Sequence, residues 1–147
     1  MNNQSNDIVL RYFDDVAEGA TGEFTKQVTE EDVIAFAGIT GDTNPVHLDK
    51  AYAATSIFGQ RISHGMLVAG FISAVFGRVF PGPGWIYVNQ SLKFKAPVFL
   101  GDTVTAQVTV TKLIDGKNMI EFDTVCKVGE KIVLDGTATL MSPQKPA

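Results

Sequence analysis

Apolar positions in the second half of the chain recur at every second residue. Val104, Ala106, Val108 and Val110 alternate with Thr103, Thr105, Gln107 and Thr109, and the rhythm returns in Ile120, Phe122, Thr124, Cys126 and Val128 and in Ile132, Leu134, Ala138 and Leu140. A period of two is that of a strand with one buried face. Asp115-Gly116 and Gly129-Glu130 stand between these runs, where two-residue hairpin turns belong. From Ile86 to Ala96 the same rhythm puts Ile86, Val88, Leu92, Phe94 and Ala96 on one face and Asn89, Ser91, Lys93 and Lys95 on the other. These runs predict an antiparallel meander.

The first half is helical. Thr29 suits the N-cap of a helix, with Glu30, Glu31 and Asp32 at the positive end of its dipole, Val33, Ile34, Phe36 and Ala37 as its apolar stripe, and Gly41 as its end. Asp42 follows directly. The thirteen residues Gly65–Gly77 are apolar around the whole helical circumference, which predicts burial on every side. That run is too short to cross a bilayer, and Arg78 interrupts it. A central helix wrapped by a sheet is expected. Helices followed by strands indicate an α+β domain rather than a doubly wound parallel sheet. A curved antiparallel sheet wrapped around a long central helix is the hot-dog fold, although periodicity alone also allows other α+β sandwiches.

At 147 residues the chain accommodates one domain, read as 9–141, with polar segments 1–8 and 142–147 expected to be mobile tails. Such a domain buries roughly two thirds of its unfolded surface and needs neither disulfide nor structural metal. Cys126 is the sole cysteine, and no Cys/His run has metal-ligand spacing, so no metal site and a reducing cytoplasm are expected. Residues 1–6 lack the basic start and apolar core of a signal peptide. Twelve basic against sixteen acidic residues, with no Lys/Arg run, argue against nucleic acid as a partner.

The chemistry is concentrated in Gly41-Asp-Thr-Asn-Pro-Val-His47. Pro45 forces a turn, which brings Asp42 and His47 toward one point. A carboxylate beside an imidazole can hold a water, take its proton and return one elsewhere. The same residues also suit a plain turn, with Asp and Asn bonding nearby amides and His47 capping the helix that follows from Asp49. Residue types alone leave both readings open.

Phe36-Ala-Gly-Ile-Thr-Gly-Asp-Thr-Asn-Pro-Val-His47, with Ala53 beyond it, resembles the hydratase-2 motif of the MaoC-like dehydratase family, and the segments Ser63–Leu67 and Lys93–Asp102 extend the resemblance from about Thr25 to Leu140. The resemblance is nearest to the stand-alone (R)-specific enoyl-CoA hydratases. It implies reversible hydration of trans-2-enoyl-CoA to (R)-3-hydroxyacyl-CoA, with Asp42 and His47 binding the attacking water and the Gly65 N–H facing the thioester oxygen. Asn44 is expected to shape the loop and contribute to the substrate site, and Ser73 to stand beside Asp42. Met66, Leu67, Phe71 and Val75 are expected to line an acyl tunnel, though most suit a core equally well. His64 is read as a helix cap, while Arg61, Lys93, Lys95 and Arg78 carry no clear phosphate-binding signal. The resemblance further implies a homodimer, an acyl-CoA thioester as the partner molecule and no cofactor beyond the CoA of the substrate. A 3-hydroxyacyl-carrier-protein dehydratase and an acyl-CoA thioesterase are the alternatives.

Overall fold

A computed structural model describes residues 8–147. Most of the expected tail at 1–8 lies outside these. The chain runs through β1 (Thr21–Gln27), α1 (Glu30–Thr40), α2 (Pro45–Leu48), α3 (Lys50–Thr55), α4 (Gly65–Ala74), β2 (Ile86–Gln90), β3 (Lys93–Phe94), β4 (Thr103–Ile114), β5 (Met119–Val128) and β6 (Lys131–Met141). A π-helical turn, Val75–Val79, prolongs α4 through Arg78. All pairings are antiparallel, in the order β1-β4-β5-β6-β2, with β3 also on β6. The sheet curves around α4, which is the hot-dog arrangement.

The inward positions of β4, Val104, Ala106, Val108 and Val110, are buried, as are Ile120, Phe122, Thr124 and Cys126 of β5. They pack on Val68, Ile72 and Val75 of α4 and its extension. Thr29 caps α1 as expected, accepting the Asp32 N–H at 3.1 Å while Asp32 bonds back to the Thr29 N–H.

Several expectations change. The chain enters the sheet through β1, whose apolar content is too thin to show in the pattern but which pairs with β4 along one edge. Only Gly129-Glu130 is a two-residue turn; Asp115-Gly116 extends through Asn118, which has a positive φ of 58°. A bulge beyond Cys126 shifts the β5–β6 register, so Val133 is buried beside Leu134 and Ile132 turns outward. The strand read over Ile86–Ala96 is two pieces, and Ile86, Val88 and Phe94 are exposed. The central helix is not covered all round either: Met66, Gly70, Ser73 and Gly77 form an exposed stripe. Within the expected tail 142–147, Ser142 is buried and donates its N–H to the Asn118 carbonyl.

Candidate active site

Gly41 ends α1 with φ 82°, a left-handed geometry that glycine adopts without strain, and the chain turns at Asp42. Asn44 starts the next turn. Its side chain accepts the Val46 N–H at 3.1 Å, and Pro45 takes the first helical position, where no N–H is needed. His47 is thereby carried on α2 and buried, while Asp42 stays exposed, its carboxylate accepting the Asn44 N–H at 3.3 Å. The helix after Asp49 is capped by Asp49 itself, not by His47.

The segment Arg61–His64, leading into α4, is bonded along this loop. Ile62 N–H donates to the Val46 carbonyl at 3.3 Å, and Arg61 Nε–H to the His47 carbonyl at 2.7 Å. In return His47 Nδ1–H donates to the Ile62 carbonyl at 2.8 Å, and His64 Nε2–H reaches the Asp42 carbonyl at 2.9 Å. A carbonyl only accepts, so these partners assign the hydrogens to Nδ1 of His47 and Nε2 of His64. In a neutral ring His47 Nε2 is then a free acceptor. Burial pushes the His47 imidazole below its usual 6.5, and the His64 ring adds to this, while the bond to Ile62 and the charge of Asp42 oppose it.

Asp42, His47 and His64 bring ligand atoms within 4.8 Å of one another, a grouping that could hold a metal ion. Spacing in the sequence hid it because its members come from separate segments. The two imidazoles, however, lie partly stacked, with centroids 3.9 Å apart and planes inclined by 31°. A water held between the Asp42 carboxylate and His47 Nε2 needs only one of them.

A cavity of about 450 Å³ is lined by Asp42, His47, His64 and Gly65 together with Phe58, Phe94, Val133 and Leu134. Gly65 opens α4, and among the described residues its N–H makes no hydrogen bond. His64 occupies the cap position without a side-chain cap bond, which corrects its reading as a cap. A Cβ on Gly65 would fall 2.6 Å from the Phe94 ring, so only glycine lets that ring lie over the helix start.

Other expected site residues lie elsewhere. Ser73 is exposed rather than buried and lines a separate groove with Tyr87 and Val88, away from Asp42. Met66 lines the cavity, but Leu67, Phe71 and Val75 do not: they pack in the core, where Phe71 meets Phe24 edge-on. Asn44 is outside the cavity lining and engaged as a cap. Lys95 lines the cavity and pairs with Asp135 at 3.0 Å. Arg61 is not a free basic group, since its guanidinium also pairs with Glu30 at 2.8 Å. Arg61, His64, Phe94 and Val133 acquire their places through tertiary contacts that no local spacing announces.

The MaoC-like domain matches residues 15–132. The chain belongs to that family. This MaoC-like chain is 54% identical to an (R)-specific enoyl-CoA hydratase of Rhodospirillum rubrum, over 96% of its own length and 98% of the relative's. Among solved structures, the unliganded R-hydratase PhaJ1 of Pseudomonas aeruginosa superposes with a TM-score of 0.86 at 41% identity, covering 91% of this chain and 86% of that one. The (R)-hydratase of A. caviae involved in PHA biosynthesis gives 0.85 at 41% identity, with 87% and 98% covered. Among the described residues no helix is long and apolar enough to cross a membrane.

Proposed function

We propose that this protein is an (R)-specific enoyl-CoA hydratase, carrying out reversible syn hydration of trans-2-enoyl-CoA to (R)-3-hydroxyacyl-CoA. The observation that carries the reading is the bonding of His47. With Nδ1–H committed to the Ile62 carbonyl, Nε2 is left as an acceptor, on a ring that lines an apolar cavity together with Asp42 and offers a ligand atom within 4.8 Å of the Asp42 carboxylate. A water donating one hydrogen to each turns its oxygen lone pair toward a bound substrate. As that oxygen bonds to C3, the double-bond electrons move toward the thioester, whose oxygen becomes negative. The unpaired N–H of Gly65 stabilises this charge. The proton taken by the Asp42–His47 pair returns to C2 on the same face. The reaction calls on no cofactor and no metal, the CoA being part of the substrate.

Exposed Ile86, Tyr87 and Val88 on edge strand β2, beside the open stripe of α4, support a homodimer that covers this edge. Ser73 lines that groove and would sit at the subunit boundary. An unpaired, buried Cys126 suits a reducing cytoplasm. Supply of (R)-3-hydroxyacyl-CoA for polyhydroxyalkanoate synthesis fits the product.

Incubation with crotonyl-CoA tests the function. Expected is a loss of absorbance at the conjugated double bond with no free CoA. Release of CoA without hydration makes the protein a thioesterase, and turnover confined to carrier-protein thioesters makes it a dehydratase of fatty-acid synthesis.

A further inference from the structure

We infer that His64 is a positioning residue of the site, fixing the Asp42 main chain through Nε2–H; this rests on the hydratase reading above. His64 is only 2% exposed, yet its Nδ1 has no hydrogen-bond partner among the described residues. A buried acceptor without a donor is costly, and a ring kept only for packing would be better replaced by a hydrocarbon. Its other bonds show what the histidine does. Nε2–H reaches the Asp42 carbonyl at 2.9 Å across 22 residues of sequence. The ring meets His47 at a centroid distance of 3.9 Å and Phe36 at 4.7 Å. Asp42 is otherwise exposed and tied by its N–H to Thr40 Oγ1 at 3.2 Å and by its carboxylate to Asn44 at 3.3 Å, both long local bonds. The bond from His64 is the short link between Asp42 and the body of the protein. The lone Nδ1 is the consequence of turning the donor toward Asp42.

The chemistry of this role separates three substitutions. Gln carries an amide N–H to about the reach of histidine Nε2, Asn carries one only to about the reach of Nδ1, and Phe keeps the ring without any donor. Full-length wild type, His64→Gln, His64→Asn and His64→Phe are compared with crotonyl-CoA, and their melting temperatures are measured. Expected is a kcat within about 3-fold of wild type for Gln and a fall of at least ~10-fold for Asn and Phe, with KM within about 2-fold throughout, on the scale of a misplaced acid/base pair. Phe should melt close to wild type, since the stack is kept and an unpaired nitrogen removed. Equal kcat for Gln and Asn, or wild-type kcat for Phe, overturns the role while leaving the hydratase reading intact. If Phe fails to fold, the Gln/Asn ratio still decides. A wild type inert toward every enoyl thioester overturns the hydratase reading first and this inference with it.

Discussion

His47 carries its hydrogen on Nδ1 because the Ile62 carbonyl stands 2.8 Å away, and the free Nε2 is what makes the residue useful to a water. Removing either member of the pair, by Asp42→Ala or His47→Ala, should lower kcat by at least ~100-fold in steady-state hydration of crotonyl-CoA. Near-normal turnover in both would show that the pair is only a turn. The pH dependence has a definite sign. Burial holds the folded His47 below its usual 6.5, so the neutral ring is favoured in the fold. Its contribution to stability is complete above the unfolded value and is lost as pH falls through the lower folded value. Turnover that needs the bare Nε2 follows the same direction. The acid limb of kcat/KM should therefore lie below 6.5. A limb centred above that value contradicts the assignment. Gly65 offers a third check at this scale. Gly65→Ala pushes on the Phe94 ring, and should reduce kcat/KM by at least ~10-fold if the N–H beneath it serves the thioester oxygen.

Among the elements, the segment Arg61–His64 is what turns a loop into a site. Arg61 grips the His47 carbonyl at 2.7 Å and Glu30 of α1 at 2.8 Å, so one guanidinium joins α1, α2 and the entrance to α4. Arg61→Ala should cost about 1–3 kcal/mol in chemical denaturation, chiefly through the His47 carbonyl it leaves without a donor, and should lower kcat. Unchanged stability and turnover would mean the segment holds itself in place. These elements also show where the sequence was readable. The meander could be read because β4 and β5 are half-buried and regular, so period two survives intact through Val110 and Phe122. At β6 it failed by one residue, because a bulge is set by pairing with β5 and leaves no mark in composition; Val133 took the place expected for Ile132. β1 was missed because an edge strand needs little apolar surface. The pair Asp42 and His47 could be proposed because six residues around a proline hold both. The bonds from Arg61 and His64 could not, since they span 14 and 22 residues through space.

At the scale of the molecule, the sheet ends on β2 with apolar side chains facing outward: Ile86 is 53% and Val88 48% exposed. An unprotected apolar edge of this kind invites another strand. For the proposed dimer across this edge, Val88→Lys is expected to give a monomer in sedimentation velocity where the wild type gives a dimer, and a wild type that is monomeric and fully active contradicts it. The separate placement of Ser73, on the groove beside this edge, accords with a second subunit closing over it. Pair, unpaired amide and cavity lie within one chain, and in the proposed mechanism they present a single face from which water and proton reach the substrate. That face is the central claim, and hydration of crotonyl-CoA in D2O, with the product resolved by NMR and chiral analysis, tests it most directly. The account predicts (3R)-hydroxybutyryl-CoA carrying one deuterium at C2 on the same face as the new hydroxyl, formed at least ~100-fold more slowly by Asp42→Asn. A 3S product, or deuterium on the opposite face, would contradict it.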